Sequence, residues 1–113
     1  MGKCDVEQVL RLLSGRWTLY ILWRLDDRGP QRFNALQKLI PGISQKVLTE
    51  RLKTLESAGL IHRDYKPTVP PEVTYSLTPR GVELRATLGE IAQVSRHWAE
   101  DGWTLEGGFP TPA

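Results

Sequence analysis

The chain has 113 residues, enough for one domain with a single modest core, and a domain this small often gains further burial by pairing with a second copy. Its 40% hydrophobic and 25% charged content is that of an ordinary soluble globular protein, and 15 Lys and Arg against 13 Asp and Glu leave a formal charge of +2, too little to argue for a polyanionic partner by itself. The single cysteine, Cys4, excludes an intrachain disulfide and a cysteine-based metal site, and fits a reducing compartment.

The N-terminal MGKCDVEQ is charged, lacks the apolar centre of a signal peptide, and has Val6 where a myristoylation motif needs Ser or Thr. No apolar run approaches membrane-spanning length. These features predict a cytoplasmic protein with no membrane partner.

In chain order, Val6, Val9, Leu10 and Leu13 fall at i, i+3, i+4 and i+7, which predicts an amphipathic helix from about Asp5 to Leu13. Ser14-Gly15 ends it, with Gly15 able to take a left-handed cap position. A second helix is expected from about Arg16 to Asp27, with Trp17, Thr18, Ile21, Leu22 and Leu25 as its buried stripe, broken by Arg28-Gly29-Pro30. Gln31-Arg32-Phe33 reads as a short strand. Asn34 and Gln37 have capping-box spacing for a third, short helix with Leu36, Leu39 and Ile40 on its apolar face.

Pro41-Gly42 stops that helix, and Ser44 is the expected N-cap of a fourth. Ile43 and Leu48 stand at hydrophobic-staple positions, Leu48, Leu52 and Leu55 give the buried stripe, and Ala58-Gly59 closes the helix. A strand from Leu60 to Tyr65, a proline-rich loop from Lys66 to Glu72, and an alternating strand through Val73, Tyr75 and Leu77 predict a hairpin. Thr78-Pro79 caps and starts one last helix, along which Leu84, Leu88, Ile91, Ser95 and Trp98 recur at steps of four and three. From Gly102 the chain is rich in Gly, Pro and Thr and reads as a flexible tail, so residues 1–101 form the expected domain and 102–113 the tail.

This order predicts a mainly α fold with a small β-hairpin wing, a winged helix-turn-helix. The third and fourth helices, joined by Pro41-Gly42-Ile43, are the helix-turn-helix, and the hairpin after them is the wing. The B-DNA major groove is about 12 Å wide and admits one α-helix. A reading helix must be apolar toward its own domain and polar toward the bases. The fourth helix meets that demand: Leu48, Leu52 and Leu55 cluster on one side, and Gln45, Lys46, Thr49, Glu50 and Lys53 spread over the rest.

Gln pairs with adenine, Lys with guanine or phosphate, and Thr meets the thymine methyl. Arg51 lies at the edge of the apolar stripe, placed for a structural role or a phosphate, and Glu50 reads a cytosine or pairs with Lys46 or Lys53. Arg63 and Lys66 on the wing, with His62 nearby, and Arg32 on the short strand are candidates for the DNA backbone. A solvated helix face and an ordinary charged hairpin are the plainer alternatives, and the short capped helix before and the wing after are what separate this chain from them.

The stretches Cys4-Asp5-Val6-Glu7, Gly15-Arg16-Trp17-Thr18, Leu39-Ile40-Pro41-Gly42-Ile43-Ser44, Leu48-Thr49-Glu50-Arg51-Leu52, Glu56-Ser57-Ala58-Gly59-Leu60-Ile61 and Val69-Pro70-Pro71-Glu72-Val73-Thr74-Tyr75 carry a resemblance. In this order they resemble the HxlR family of bacterial winged helix-turn-helix regulators, related in architecture to the MarR type, over about Cys4 to Trp98. The resemblance implies a homodimer built from the first and last helices, with Val6, Val9, Leu10, Leu84, Leu88, Ile91, Ser95 and Trp98 at the seam. It also places Ser44, Gln45, Lys46, Thr49 and Lys53 in the recognition helix.

The implied function is sequence-specific binding of a near-palindromic double-stranded DNA operator, with half-sites about 10 bp apart, by a transcriptional regulator expected to repress. Cys4 matches the N-terminal cysteine with which several members of the family sense quinones, aldehydes or oxidants. Near a helix N-terminus its thiolate would be favoured. Its two readings are a sensor of a small-molecule or oxidant effector, and a quiet thiol in the dimer seam.

No enzyme is expected, and no cofactor or metal: His62 and His97 lie in no motif, and no glycine-rich phosphate loop or ligand cluster appears. The competing reading is a winged-helix module that docks on a protein without sequence-specific DNA binding. Salt dependence separates the two. Of the tryptophans, Trp17 and Trp98 fit the core or the seam, and Trp23, off the main stripe, fits dimer packing or a pocket between subunits.

Overall fold

A computed structural model describes residues 5–111. It falls into two compact units, one up to Glu83 and one from Leu84 onward.

The first unit carries α1 (Asp5–Leu13), α2 (Thr18–Arg28), β1 (Gln31–Arg32), α3 (Phe33–Lys38), α4 (Gln45–Ser57), β2 (Ile61–Lys66), β3 (Glu72–Leu77) and α5 (Pro79–Val82). The expected mainly helical fold with a small antiparallel wing is what the chain forms. Its sheet has the order β1-β3-β2. The hairpin runs in register from Ile61 opposite Leu77 to Lys66 opposite Glu72, and β1 adds Gln31 opposite Tyr75 and Arg32 opposite Thr74. The hairpin therefore shares its inner strand with a segment that leads straight into the helix-turn-helix.

The core follows the helical stripes. Ile21, Leu22 and Leu25 of α2, Leu36 of α3, and Leu48, Leu52 and Leu55 of α4 are buried together with Ile40, Ile43 and Ile61. Burying an aliphatic side chain of this size contributes roughly 1.5–3 kcal/mol, so these leucines and isoleucines are the main term holding α4 in place. By contrast α1 buries none of its residues, and Val6, Val9 and Leu10 stand exposed on it.

Three local expectations need correction. Gly15 is not left-handed; Trp17 is, at φ 75°, the one non-glycine residue with positive φ among those described. The second helix therefore starts at Thr18 rather than Arg16, and Trp17 precedes it as the cap. A bulky side chain in this region costs on the order of 1–3 kcal/mol and needs surroundings that hold it there. They include the Trp17–Tyr20 ring pair at 6.0 Å and the Arg16 guanidinium 5.0 Å from the Trp17 ring.

Asn34 does not cap α3. That helix begins at Phe33 with Arg32 as its extended cap residue, because pairing of Arg32 with Thr74 fixes the chain up to that point. Gln37 instead donates its side-chain amide across the turn to the Ile43 carbonyl at 3.3 Å.

The last helix is two. Thr78 caps α5, its hydroxyl accepting from Gly81 N and donating to the Gly59 carbonyl at 2.6 Å. The Glu83 amide is then shared between the Pro79 and Arg80 carbonyls, which tightens the turn, and the ladder restarts beyond Leu84.

The second unit is α6 (Arg85–Glu100) and the residues after it. Leu88 is buried, whereas Ile91, Val94 and Trp98 are exposed in part. Of the segment read as a tail, Thr104 and Gly108 exchange backbone hydrogen bonds of 3.1 and 2.8 Å. Trp103 and Phe109 bring their rings to 5.2 and 5.5 Å from that of Trp98.

Candidate nucleic-acid interface

Helix α4 is fixed from its first residue. Ser44 is extended and its hydroxyl accepts from Val47 N at 3.1 Å, as a helix N-cap should. The turn before it is closed by Ile43 N donating to the Ile40 carbonyl, and Gly42 takes φ 91°, which a side chain would resist. Short helix, tight turn and serine-capped helix thus deliver α4 with a defined direction and a defined rotation.

The rotation decides which side chains face outward. Leu48, Leu52 and Leu55 are buried, so Gln45, Lys46, Glu50 and Lys53 are turned to solvent. No acidic residue stands in the first turn of α4. The partial positive charge of that helix end is left uncompensated and adds to Lys46. Thr49 is half-buried and donates its hydroxyl to the Gln45 carbonyl at 2.8 Å, which leaves its methyl as the group free for an apolar contact.

Thr49 and Lys53 of α4 converge with Arg63 of β2 on one cleft of about 340 Å³, completed by Leu52, Glu56 and Tyr75. The register explains the convergence: Arg63 lies directly opposite Tyr75, on the strand face that also presents the buried Ile61. The Arg63 guanidinium stands 5.6 Å from the ring of Tyr65, a contact that holds a flexible cation over the wing.

The other expected residues sit elsewhere. Arg32 pairs with Glu72 at 3.0 Å across the sheet, and Lys66 is exposed at the far end of β2, opposite the same Glu72. An exposed pair of this kind is worth about 0–1 kcal/mol, so a phosphate can compete for Arg32. Arg51 is not aimed outward: its Nε donates to the Arg16 carbonyl at 2.8 Å. Sequence reasoning missed Tyr75 and Glu56 as cleft residues; the alternation of β3 marked Tyr75 as half-buried but carried nothing about which helix it would meet.

Cys4 lies outside the described residues. Of the expected seam residues, Val6, Val9 and Leu10 are exposed on α1. On α6, Ile91 and Trp98 are exposed in part and Leu88 is buried; Leu84, just ahead of that helix, is half-buried. Ser95 on α6 returns its hydroxyl to the Ile91 carbonyl at 2.8 Å. Among the described residues no helix is long and apolar enough to cross a membrane, and no group of three or more His, Cys, Asp or Glu is placed to hold a metal ion.

Comparison with known proteins gives the same architecture. A MarR-family transcriptional regulator from Porphyromonas gingivalis W83 is similar at TM-score 0.78 and 38% identity, over 85% of this chain and 93% of that one. The reduced form of the transcriptional regulator YodB from Bacillus subtilis is similar at TM-score 0.70 and 39% identity, over 89% and 94%. The redox regulator HypR in its oxidized form is similar at TM-score 0.72 and 34% identity, over 83% and 96%. Residues 12–102 match the family model described as HxlR-like helix-turn-helix. The chain is a member of the HxlR-like helix-turn-helix family, a transcriptional regulator built on a winged helix-turn-helix DNA-binding fold.

Proposed function

We propose that the protein acts as a homodimer that lays α4 of each copy in successive major grooves of a near-palindromic operator and represses the adjacent gene. The observation that carries this reading is the face of α4. It buries Leu48, Leu52 and Leu55, turns Gln45, Lys46 and Lys53 outward, and brings Thr49 and Lys53 to one cleft with Arg63 of the wing. Gln45, Lys46 and Thr49 read base edges, Lys53 and Arg63 hold phosphates, and Arg32, Lys66 and the Ser44 end of the helix meet the backbone on either side.

The second copy covers the exposed Val6, Val9 and Leu10 of α1, and Ile91 and Trp98 of α6. Repression would follow from occupancy of the operator alone. It works by binding and not by catalysis, in the cytoplasm, with no membrane partner.

Cys4 is the proposed point of control. As the single cysteine it can form a bridge to the Cys4 of the second copy, a mixed disulfide with a small thiol, or an adduct with an electrophile. The similarity to a protein named a redox regulator supports a thiol switch.

Selection of duplexes from a random library tests the reading. The enriched site is expected to be a near-palindrome with half-site centres about 10 bp apart. Diamide should release the protein from it, dithiothreitol should restore binding, and Cys4→Ser should be indifferent to both. No enrichment, or enrichment of one isolated half-site, would contradict the dimeric reader. Binding that ignores diamide would assign Cys4 to the seam.

A further inference from the structure

We infer that Arg51, although it lies on the recognition helix, is a positioning residue that sets the placement of α4 from behind by gripping the left-handed turn between α1 and α2. This deepens the DNA-binding reading above and rests on it.

The turn Gly15-Arg16-Trp17 is built unusually. Thr18 N donates to the Gly15 carbonyl at 3.1 Å and Ile21 N to the Trp17 carbonyl at 2.9 Å. Between them, the Arg16 carbonyl accepts Arg51 Nε at 2.8 Å, a bond that spans 35 residues. Gly15 lies in the same tight turn: a Cβ there would press on Thr18 Oγ1 at 2.9 Å, while it would meet Arg51 Nε only at an ordinary contact distance of 3.8 Å.

Trp17, at φ 75°, turns its ring toward the turn between α3 and α4, where a Cβ on Gly42 would lie 3.5 Å from the ring. One strained turn thus touches both parts of the reading device, α4 through Arg51 and the Pro41-Gly42 turn through Trp17. A left-handed tryptophan persists only where its surroundings over-determine it, and such backbone outliers collect at functional sites.

Base contacts and phosphate contacts differ in how much positioning they need. Bidentate pairs to base edges have narrow geometry, whereas a lysine meets a phosphate as a point charge. Loosening the Arg51 grip should therefore cost sequence-specific binding and spare non-specific binding. A phosphate contact by Arg51 would do something else: its loss would weaken binding to all sequences and lower the salt slope by about 0.9.

The test compares Arg51→Gln with Lys53→Gln on the enriched operator and on random duplex across a salt series. Arg51→Gln should bind the operator at least about tenfold more weakly with an unchanged slope, and bind random duplex as before. Lys53→Gln should lose about 0.9 in slope on both.

Trp17→Asn keeps a residue that tolerates φ > 0 but removes the ring. It should lower operator affinity in the same way, and the double variant should be no worse than the worse single one, because both changes release one device.

A DNA-free readout runs beside this. In Arg51→Gln the amides of Thr18 and Ile43 should exchange hydrogen at least about tenfold faster while those of Leu22 and Leu25 stay protected. An Arg51→Gln slope reduced by about 0.9, additive losses in the double variant, or unchanged exchange at Thr18 and Ile43 would each overturn the inference. If the wild-type protein enriches no operator, the DNA reading fails on its own, and hydrogen exchange still decides the tie.

Discussion

Gly81→Ala is expected to destabilise the protein by about 3 kcal/mol and to lower its melting temperature on the order of 10 °C. A Cβ at this position would overlap the carbonyl oxygen of Leu60 and press on the Leu77 side chain. The obstacle is backbone, and that backbone cannot easily give way. The Leu60 carbonyl already accepts from Thr78 N at 3.0 Å, and the Leu60 amide donates to the Leu55 carbonyl at 3.0 Å. The Thr78 hydroxyl meanwhile joins Gly59 O to Gly81 N.

Inserting a methyl there pushes α5 away from the exit of α4 and breaks these bonds together. Gly89→Ala is the control. Nothing stands within 4 Å of a Cβ at Gly89, in the middle of α6, so relief of glycine's backbone freedom should stabilise that helix by about 0.5–1 kcal/mol. Thermal melts at one fixed protein concentration measure both. A Gly81→Ala melt within about 2 °C of wild type would mean that α5 does not pack on the α4–β2 turn as described.

Leu48→Ala is the second large effect, about 3 kcal/mol within the usual range for a buried leucine. Leu48 is fully buried, one position from Thr49 and two from Lys46, so it is the wedge that sets how the reading face of α4 stands off the core. Urea titration should show a lower midpoint with an unchanged slope, the sign of lost stability without a change in the unfolded chain.

Folded Leu48→Ala protein should bind the operator more weakly as well, because the cavity lets the helix settle inward. Lys46→Ala, two residues away and exposed, should leave the urea midpoint alone and weaken binding only. Equal urea midpoints for Leu48→Ala and Lys46→Ala would contradict the burial pattern of α4.

Helix α4 was legible in the sequence because all its determinants are local. A serine cap, a staple pair, leucines at i, i+4 and i+7, and a closing Ala-Gly lie within seventeen residues, from Ile43 to Gly59. The wing was legible for the same reason, since its two strands are neighbours in the chain. The elements that were misread depend on partners far away.

Arg32 takes the cap position that Asn34 was expected to hold because β1 pairs with β3; the short strand was expected, but its end at Arg32 rather than Phe33 depends on a partner some forty residues on. Gly15 carries the residue type for a left-handed turn, yet Trp17 adopts it, and Gly15 stands instead where a Cβ would press on the Thr18 hydroxyl. The break between α5 and α6 hides in a sequence whose apolar steps run on through it.

The candidate site divides in the same way. Gln45, Lys46, Thr49 and Lys53 follow from helical phase alone. Their meeting with Arg63 and Tyr75 at one cleft follows from strand register, which periodicity does not specify between distant elements.

The most direct measurement is fluorescence anisotropy of the enriched operator and of a shuffled duplex with the same base composition, titrated from about 50 to about 200 mM KCl. The account predicts operator binding at least about a thousandfold tighter than the shuffled duplex, with affinity for both falling steeply as salt rises. Equal affinity for the two duplexes, or binding indifferent to salt, would contradict a sequence-reading recognition helix and point to a protein as the partner of α4.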